Sequence, residues 1–428
     1  MQNLSSNREN KFMSQKNLLA INGGPKTIPH PLPDRGLIGK EEKAAVDALF
    51  DKCIAEGTMI AYNGAEEDAF RKEFAEYHGG GFAEGVNSGT NAVYVALKAL
   101  QLPPFSEVVV SCVTDPGGMM PIAEVSCIPV PADTCPGSYN TSAEEIEKRI
   151  TDRTSAIVVA HLCGEPADMP SIMKVARKYN LPVVEDCSQT HLGLIHGQHC
   201  GTFGDIACFS MMYSKHICTG GQGGVVFTKN EDLFWRIRRA HDRGKPFNLE
   251  GRTNLHCSLN CNMDELHAVI GRVQLKKLAW CVERRLKFVE IMNKLGLDEV
   301  KSIYQPQKDM PEGFTSCCWQ WRLRVQLDKV TCDKFEYCAA LAAEGVPLVP
   351  NYPSLPVRQE WYYKRGDVHP WNNPLYKGDA HQQYPLPNMD KVMESDFCIL
   401  VNEGFGEREA ELILSALKKV DAVFGLRA

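Results

Sequence analysis

The sequence predicts an α/β fold in which helices cover a mostly parallel sheet in a large domain, with a smaller C-terminal α+β domain after it. Three observations carry this expectation. With 428 residues the chain is too long for one ordinary core and long enough for two. Between about Gly39 and Asn230 short apolar runs alternate with helical patterns, which is how parallel strands joined by crossover helices read. Residues 263–296 then form one long helical pattern, with Leu266, Val269, Ile270 and Val273 at helical spacing, that carries the chain toward a second unit. The expected divisions are an unstructured extension over 1–17, a large domain over 18–275 and a small domain over 276–428.

In chain order, 1–17 is polar and lacks the apolar stretch of a secretory signal, and Met13 offers a second start. Asn87-Ser-Gly-Thr90 opens a helix whose apolar face is Val93, Ala96, Leu97 and Leu100. Short apolar runs place strands at 107–111, 126–130, 156–160, 182–185, 206–209 and 224–228. Helices are expected at 142–150 and 170–178, the second capped by Asp168, and a last one at 407–420. No internal repeat is visible.

Composition excludes several classes. The chain is 44% hydrophobic and 23% charged, and its 53 acidic against 47 basic residues leave no basic excess for nucleic acid. No run of eighteen apolar residues suggests a membrane span, so a cytoplasmic enzyme is expected. The 17 cysteines are odd in number and several lie in apolar segments, which predicts reduced, buried thiols. Cys257, Cys261 and the adjacent Cys317 and Cys318 do not form two spaced CxxC pairs, and no metal is assigned.

The chemistry concentrates in two segments, Val183-Val-Glu-Asp-Cys-Ser-Gln189 and Ser210-Met-Met-Tyr-Ser-Lys215, the latter running into a glycine-rich turn at 220–224. Lys215 can attach a carbonyl, Asp186 can keep a pyridine nitrogen protonated, and Ser210 can take a phosphate oxygen. These are the minimum needs of pyridoxal 5'-phosphate. Asp186 and Ser210 both fall at strand ends, where sites gather in such sheets, and the helix start at 88–90 suits a phosphate.

Together these segments resemble the DegT/DnrJ/StrS family of sugar aminotransferases, pyridoxal phosphate enzymes of fold type I. The likeness extends through Ala20-Ile-Asn-Gly-Gly24, Asn87-Ser-Gly-Thr90, His161-Leu-Cys-Gly-Glu-Pro-Ala-Asp168, Glu185-Asp-Cys-Ser-Gln189, Gly221-Gln-Gly-Gly224 and Asn260-Cys-Asn-Met-Asp-Glu265. The resemblance implies that Lys215 is the internal aldimine lysine, Asp186 the partner of the pyridine nitrogen, and Gln189 a contact to the ring or its hydroxyl. It implies that Gly89, Thr90 and Ser210 hold the phosphate and that Asn260 reaches the phosphate of a neighbouring subunit in a homodimer with shared sites. Three positions depart from the family pattern. Asp115 stands where an aromatic residue usually stacks on the ring, Gln222 where a glutamate is usual, and Asn262 where an arginine is common.

The expected function is transfer of an amino group from glutamate or glutamine to a keto-sugar, keto-cyclitol or nucleotide-linked keto-sugar. Two rival readings are a sugar dehydratase of the same fold, in which histidine replaces the lysine, and a non-catalytic regulatory member. Lys215 argues against the first, and the intact trio of Asp186, Ser210 and Lys215 against the second. The region 346–355, with Trp361, Tyr362, Tyr363 and His369, resembles the part of the family that closes over the acceptor.

Overall fold

The computed structural model describes residues 18–251 and 253–426. The extension expected over 1–17 lies outside the described residues. After α1 (Lys40–Glu56) and α2 (Ala65–Tyr77), strands and helices alternate. They are β1 (Phe82–Val86), α3 (Gly89–Leu100), β2 (Glu107–Ser111), α4 (Pro116–Glu124), β3 (Ile128–Ala132), α5 (Ala143–Glu147), β4 (Thr154–Ala160), α6 (Met169–Lys178), β5 (Val183–Asp186), β6 (Ile206–Ser210) and β7 (Gly224–Thr228). These seven strands form one sheet in the order β1-β7-β6-β5-β4-β2-β3. Only β7 runs against its neighbours, so the sheet is mostly parallel, as expected.

Runs such as Val108-Val-Val110 and Ile157-Val-Val159 are buried on both faces, as strands sandwiched between helices must be. Strand β1 escaped the sequence reading because Glu84 and Gly85 interrupt its apolar pattern. Glu84 is buried all the same, paired with Arg71 at 3.0 Å and Arg238 at 3.1 Å. The strand expected at 126–130 begins two residues later, because Ser126 takes a left-handed conformation (φ 63°) and turns the chain out of α4. Strand β3 forms the edge, where Pro129 and Pro131, which cannot donate to a ladder, are tolerated. Trp371 and Tyr376 cover Ile128 and Val130 on that edge. The helix at 142–150 is shorter than expected, with Ser142 capping it, and Asp168 caps α6 by accepting from Ser171 N at 3.2 Å.

The chain continues through α7 (Glu231–His241) into α8 (Glu265–Lys294), 30 residues and about 45 Å long. Leu275, Leu278 and Val282 of α8 belong to the core under the large sheet, whereas Phe288 and Met292 belong to a second core. The boundary expected at 275/276 therefore falls inside one continuous helix. Leu266, Ile270 and Val273 are only half-buried; the buried stripe runs through Ala268, Val269 and Leu275 instead.

The second core lies around an antiparallel sheet of β8 (Ile303–Tyr304), β9 (Trp321–Val325), β10 (Leu348–Val349) and β11 (Asp396–Ile399), in the order β8-β9-β11-β10, with α9 (Lys334–Glu344) and α10 (Glu407–Phe424). Leu19 and Ile28 pack into this same core, and Glu344 accepts from Ala20 N at 2.8 Å and Thr27 N at 2.9 Å. The first described residues thus join the C-terminal unit before the chain enters the large sheet.

Candidate active site

The parallel strands end at one edge of the sheet, and the loops leaving them build a cavity of about 200 Å³. Strand β5 delivers Asp186, β6 delivers Ser210, and β1 leads through Ser88 into the N-terminus of α3. Ser88 Oγ caps that helix by accepting from Asn91 N at 3.1 Å. The first turn of any helix has N–H groups with no intrahelical acceptor, and here those of Gly89 and Thr90 begin it at the cavity wall. Residue 89 has to be glycine. A Cβ there would lie 2.6 Å from Ser210 Cβ, so only a bare backbone lets the helix start come so close to the serine.

Lys215 sits in the loop between β6 and β7, which closes on itself through Met211 N to Gly223 O at 2.8 Å and Tyr213 N to Gly221 O at 3.1 Å. Its side chain is buried, with Nζ 3.9 Å from the centre of the Trp319 ring. Burial lowers its pKa to about 8, a fall that the nearby carboxylates of Asp115 and Asp186 partly oppose. Asp186 is raised above the ordinary carboxylate range by its own burial, against a hydrogen bond from Ser188 N to Oδ1 at 3.0 Å and the charge of Lys215. Gly118 closes over that carboxylate, since a Cβ on it would lie 2.9 Å from Asp186 Oδ2.

Gly89, Thr90, Asp186, Gln189, Ser210 and Lys215 therefore line a single cavity, together with Asp115 and Gln222. Asn260 does not line it. It is exposed, and its Oδ1 accepts from Asn262 N at 3.2 Å. Gln189 is held at both ends of its amide, accepting from Cys163 N at 3.0 Å and donating to Tyr352 Oη at 2.6 Å. Asp115, the departure singled out in the sequence, caps α4 by accepting from Gly117 N at 2.9 Å. A phosphorylated pyridine aldehyde fits these groups: a helix start beside a serine hydroxyl, a buried carboxylate and a buried amine, all lining one cavity.

A second cavity of about 700 Å³ adjoins the first and shares Asp115, Gln189, Met212 and Lys215 with it. Its other walls come from remote parts of the chain, among them Arg35, Trp319, Tyr352 and Asn402. Of the region expected to close over an acceptor, Val349, Tyr352 and Pro353 do line this cavity. Trp361, Tyr362, Tyr363 and His369 do not. Trp361 packs beside the β3 edge, and His369 Nε2 lies 3.0 Å from Ser126 Oγ.

Sequence reasoning missed the brace that holds these walls. Arg35 is bidentate to Glu403, at 3.0 and 2.9 Å, and its guanidinium also donates to the carbonyls of Lys215 and His216. Arg285 donates to the same Glu403 carboxylate at 2.9 Å and to Trp319 O at 2.7 Å. One buried carboxylate thereby fixes both the lysine loop and the tryptophan that its amine stands over. Behind the loop, His191 Nε2 donates to Ser210 O at 2.9 Å, and burial pushes its pKa down to about 3, so it is neutral. The signal for Arg35 and Glu403 was absent, because both look like ordinary surface charges.

Next to Asp186 on β5, Glu185 points to the opposite face of the sheet. It accepts from Gly201 N at 2.9 Å, Phe203 N at 2.8 Å and Gly204 N at 2.6 Å, and from His161 Nε2 at 3.2 Å. With Cys187 these two residues place three potential ligand atoms within 4.8 Å. Ala167 N donates to His161 Nδ1, so both imidazole nitrogens and both carboxylate oxygens already have protein partners and the group tacks down the 201–204 turn. All 17 cysteines are free thiols and thirteen are buried. Among the described residues no helix is long and apolar enough to cross a membrane.

Residues 38–401 match the DegT/DnrJ/EryC1/StrS aminotransferase family. The dTDP-3-amino-3,6-dideoxy-alpha-D-galactopyranose transaminase of Aneurinibacillus thermoaerophilus is 30% identical over 91% of this chain and 99% of its own. The L-glutamine:2-deoxy-scyllo-inosose aminotransferase of Micromonospora echinospora is 30% identical over 79% of this chain and 83% of its own. The solved aminotransferase from Psychrobacter cryohalolentis superposes with a TM-score of 0.80 at 26% identity, covering 92% of this chain and 99% of that one. The fold is that of the fold type I pyridoxal phosphate-dependent transferases, and with a match spanning most of its length this chain is an aminotransferase belonging to the DegT/DnrJ/EryC1/StrS family.

Proposed function

We propose that this aminotransferase moves an amino group from glutamate or glutamine to the ketone of a keto-sugar, keto-cyclitol or nucleotide-linked keto-sugar, with pyridoxal 5'-phosphate held in the smaller cavity. The observation that carries this reading is the position of Lys215, whose buried amine stands where the two cavities meet. Bound there, the cofactor supplies an aldehyde that exchanges amines and a ring that draws electrons from a substrate carbon. The N–H groups of Gly89 and Thr90 and the hydroxyl of Ser210 hold the phosphate. Asp186 would hold a proton on the ring nitrogen, and Gln189, fixed by Cys163 and Tyr352, would position the ring. Lys215 Nζ, with its pKa lowered to about 8, gives and takes protons near neutral pH.

Asn260 is assigned to the site of a second copy in a homodimer. Its exposure, beside the exposed apolar side chains of Leu255 and Leu259, supports that reading. Light scattering should give the mass of two chains.

The test of the cofactor role is the visible spectrum of the protein with pyridoxal phosphate, before and after adding glutamine or glutamate. The expected result is a visible band that bleaches with one donor, and neither band nor response in Lys215→Ala. A band that no amino donor bleaches would sink the reading.

A further inference from the structure

The amine of Lys215 meets the indole of Trp319 at close range, with Nζ 3.9 Å from the ring centre. Among the described residues no carboxylate forms an ion pair with that amine, and Asp115 and Asp186 act on it through space. The Cys163 thiol and the neutral imidazole of His191 also face it, while Arg35 binds the backbone carbonyl of the lysine.

The ring is fixed in register with the lysine. Trp319 Nε1 donates to Ser214 O at 3.0 Å, the carbonyl immediately before Lys215. From the other side, Arg285 donates to Trp319 O at 2.7 Å, Gln320 N to Cys163 O at 3.3 Å and Cys317 N to Gly164 O at 2.9 Å. Gly164 permits this approach. A Cβ on it would lie 2.6 Å from the backbone nitrogens of Cys318 and Trp319, and its φ of 88° favours glycine. The indole therefore keeps its face on the amine through both its ring nitrogen and its backbone.

An aromatic face attracts a cation through its quadrupole, most strongly for indole and in a site shielded from water. The buried amine of Lys215 must alternate between charged and uncharged forms to carry a proton. Burial favours the uncharged form and lowers its pKa to about 8. A ring face steadies the charged form without offering an acceptor that would compete for the proton, whereas a carboxylate at the same distance would hold it far more strongly.

We propose that Trp319 is a catalytic residue whose indole face seats the ammonium of Lys215 once the amine is displaced from the cofactor. Nζ takes the proton of the substrate carbon, becomes an ammonium on the ring face, and delivers the same proton to the cofactor's reacting carbon. The electron pair of the broken C–H bond passes into the cofactor ring and returns in the new C–H bond, so nothing is oxidised or reduced overall. This role rests on the aminotransferase reading above.

Replacing tryptophan by fluorotryptophans keeps the shape of the indole and drains its face of negative charge as fluorines are added. Full-length protein is made with tryptophan and with analogues carrying increasing numbers of fluorines. Trp319→Phe made in the same media reports on the rest of the six tryptophans. In protein stripped of cofactor, the midpoint of Lys215 reductive alkylation should fall with each added fluorine. The whole series should span about 0.5–1.5 pH units, a loss of basicity of roughly 3- to 30-fold. Trp319→Phe should show no such series. In loaded protein above the midpoint pH, bleaching by saturating glutamine or glutamate should slow by about 2- to 6-fold, with a much smaller change in the donor concentration for half-maximal rate. A midpoint that stays put or rises with fluorination overturns the proposal. So does a midpoint that falls while bleaching keeps its rate, because the ring then touches the amine without serving the reaction. Unlabelled protein that no donor bleaches takes this role down with the aminotransferase reading, and the midpoint series in stripped protein tells the two failures apart.

Discussion

The two cavities that meet at Lys215 are built in different ways. The smaller one is walled by three short stretches, 88–90, 186–189 and 210–222, together with the 115–118 turn, each leaving the sheet at the same edge. The larger one takes its walls from at least six separate places between Asp34 and Asn402 and is held by a carboxylate near the end of the chain. Where the sheet itself delivers the residues, position follows from strand register. In the larger cavity, position depends on long-range ion pairs, and its lining is correspondingly free to differ between relatives while the chemistry stays fixed.

Breaking the shared element should abolish what both cavities do. Lys215→Ala is expected to lower turnover by about 10³–10⁴-fold or more, measured against either donor or acceptor. Loss of the acceptor half alone would contradict its place between the two.

The next largest effect should come from the brace. Glu403→Gln leaves the buried Arg285 and the half-buried Arg35 without their anion, and is expected to cost about 3–5 kcal/mol in denaturant unfolding. Because Glu403 is held below the ordinary carboxylate range by those two arginines, its contribution is present at neutral pH and lost as pH falls through its lowered value. The wild-type advantage over Glu403→Gln should therefore shrink in acid.

Within the smaller cavity, Asp186→Asn should slow turnover by about 10²–10³-fold with a much smaller change in cofactor affinity, by titration with pyridoxal phosphate. Gly89→Ala should do the reverse, weakening cofactor binding and destabilising by about 1–3 kcal/mol, because the new methyl must displace Ser210. A Gly89→Ala protein that binds the cofactor normally would mean that the close approach is not needed.

The smallest expected effect concerns the pH at which Lys215 reacts. In protein stripped of cofactor, its reductive alkylation should rise with a midpoint near pH 8, well below that of exposed lysines. Its folded pKa lies below the unfolded value, so charging it opposes folding below pH 8. That penalty fades as pH rises from 8 toward the unfolded value. Asp115→Asn should move the midpoint lower still, since a carboxylate that favours the charged amine is gone.

This difference in construction also explains what could be read in advance. Lys215, Asp186, Ser210, Gln189, Gly89 and Thr90 are legible because each sits in a short motif at the end of a strand, where residue type and local spacing carry the information. Arg35 and Glu403 pair across 368 residues, and nothing in their neighbourhoods distinguishes them from solvated charges. Glu84 hid strand β1 in the same way, since a glutamate in a strand reads as exposed until Arg71 and Arg238 are seen to neutralise it. The aromatic cluster at 361–363 misled for the opposite reason. Rings suit a ligand or a sheet edge equally, and of these three only Trp361 packs at the proline-bearing edge of β3, while Tyr362 joins the large core and Tyr363 is exposed.

Order of synthesis gives the brace one more meaning. Every cofactor motif except that of Asn260 has been made once the chain passes residue 224, yet Glu403 follows Lys215 by about 190 residues, roughly 10–40 s of translation. Over that interval the sheet can form while the lysine loop and Arg35 wait for their counter-charge. A nascent chain halted short of residue 403 carries the whole set of cofactor contacts and an unseated lysine, so competence for the cofactor is decided late in synthesis although its residues come early.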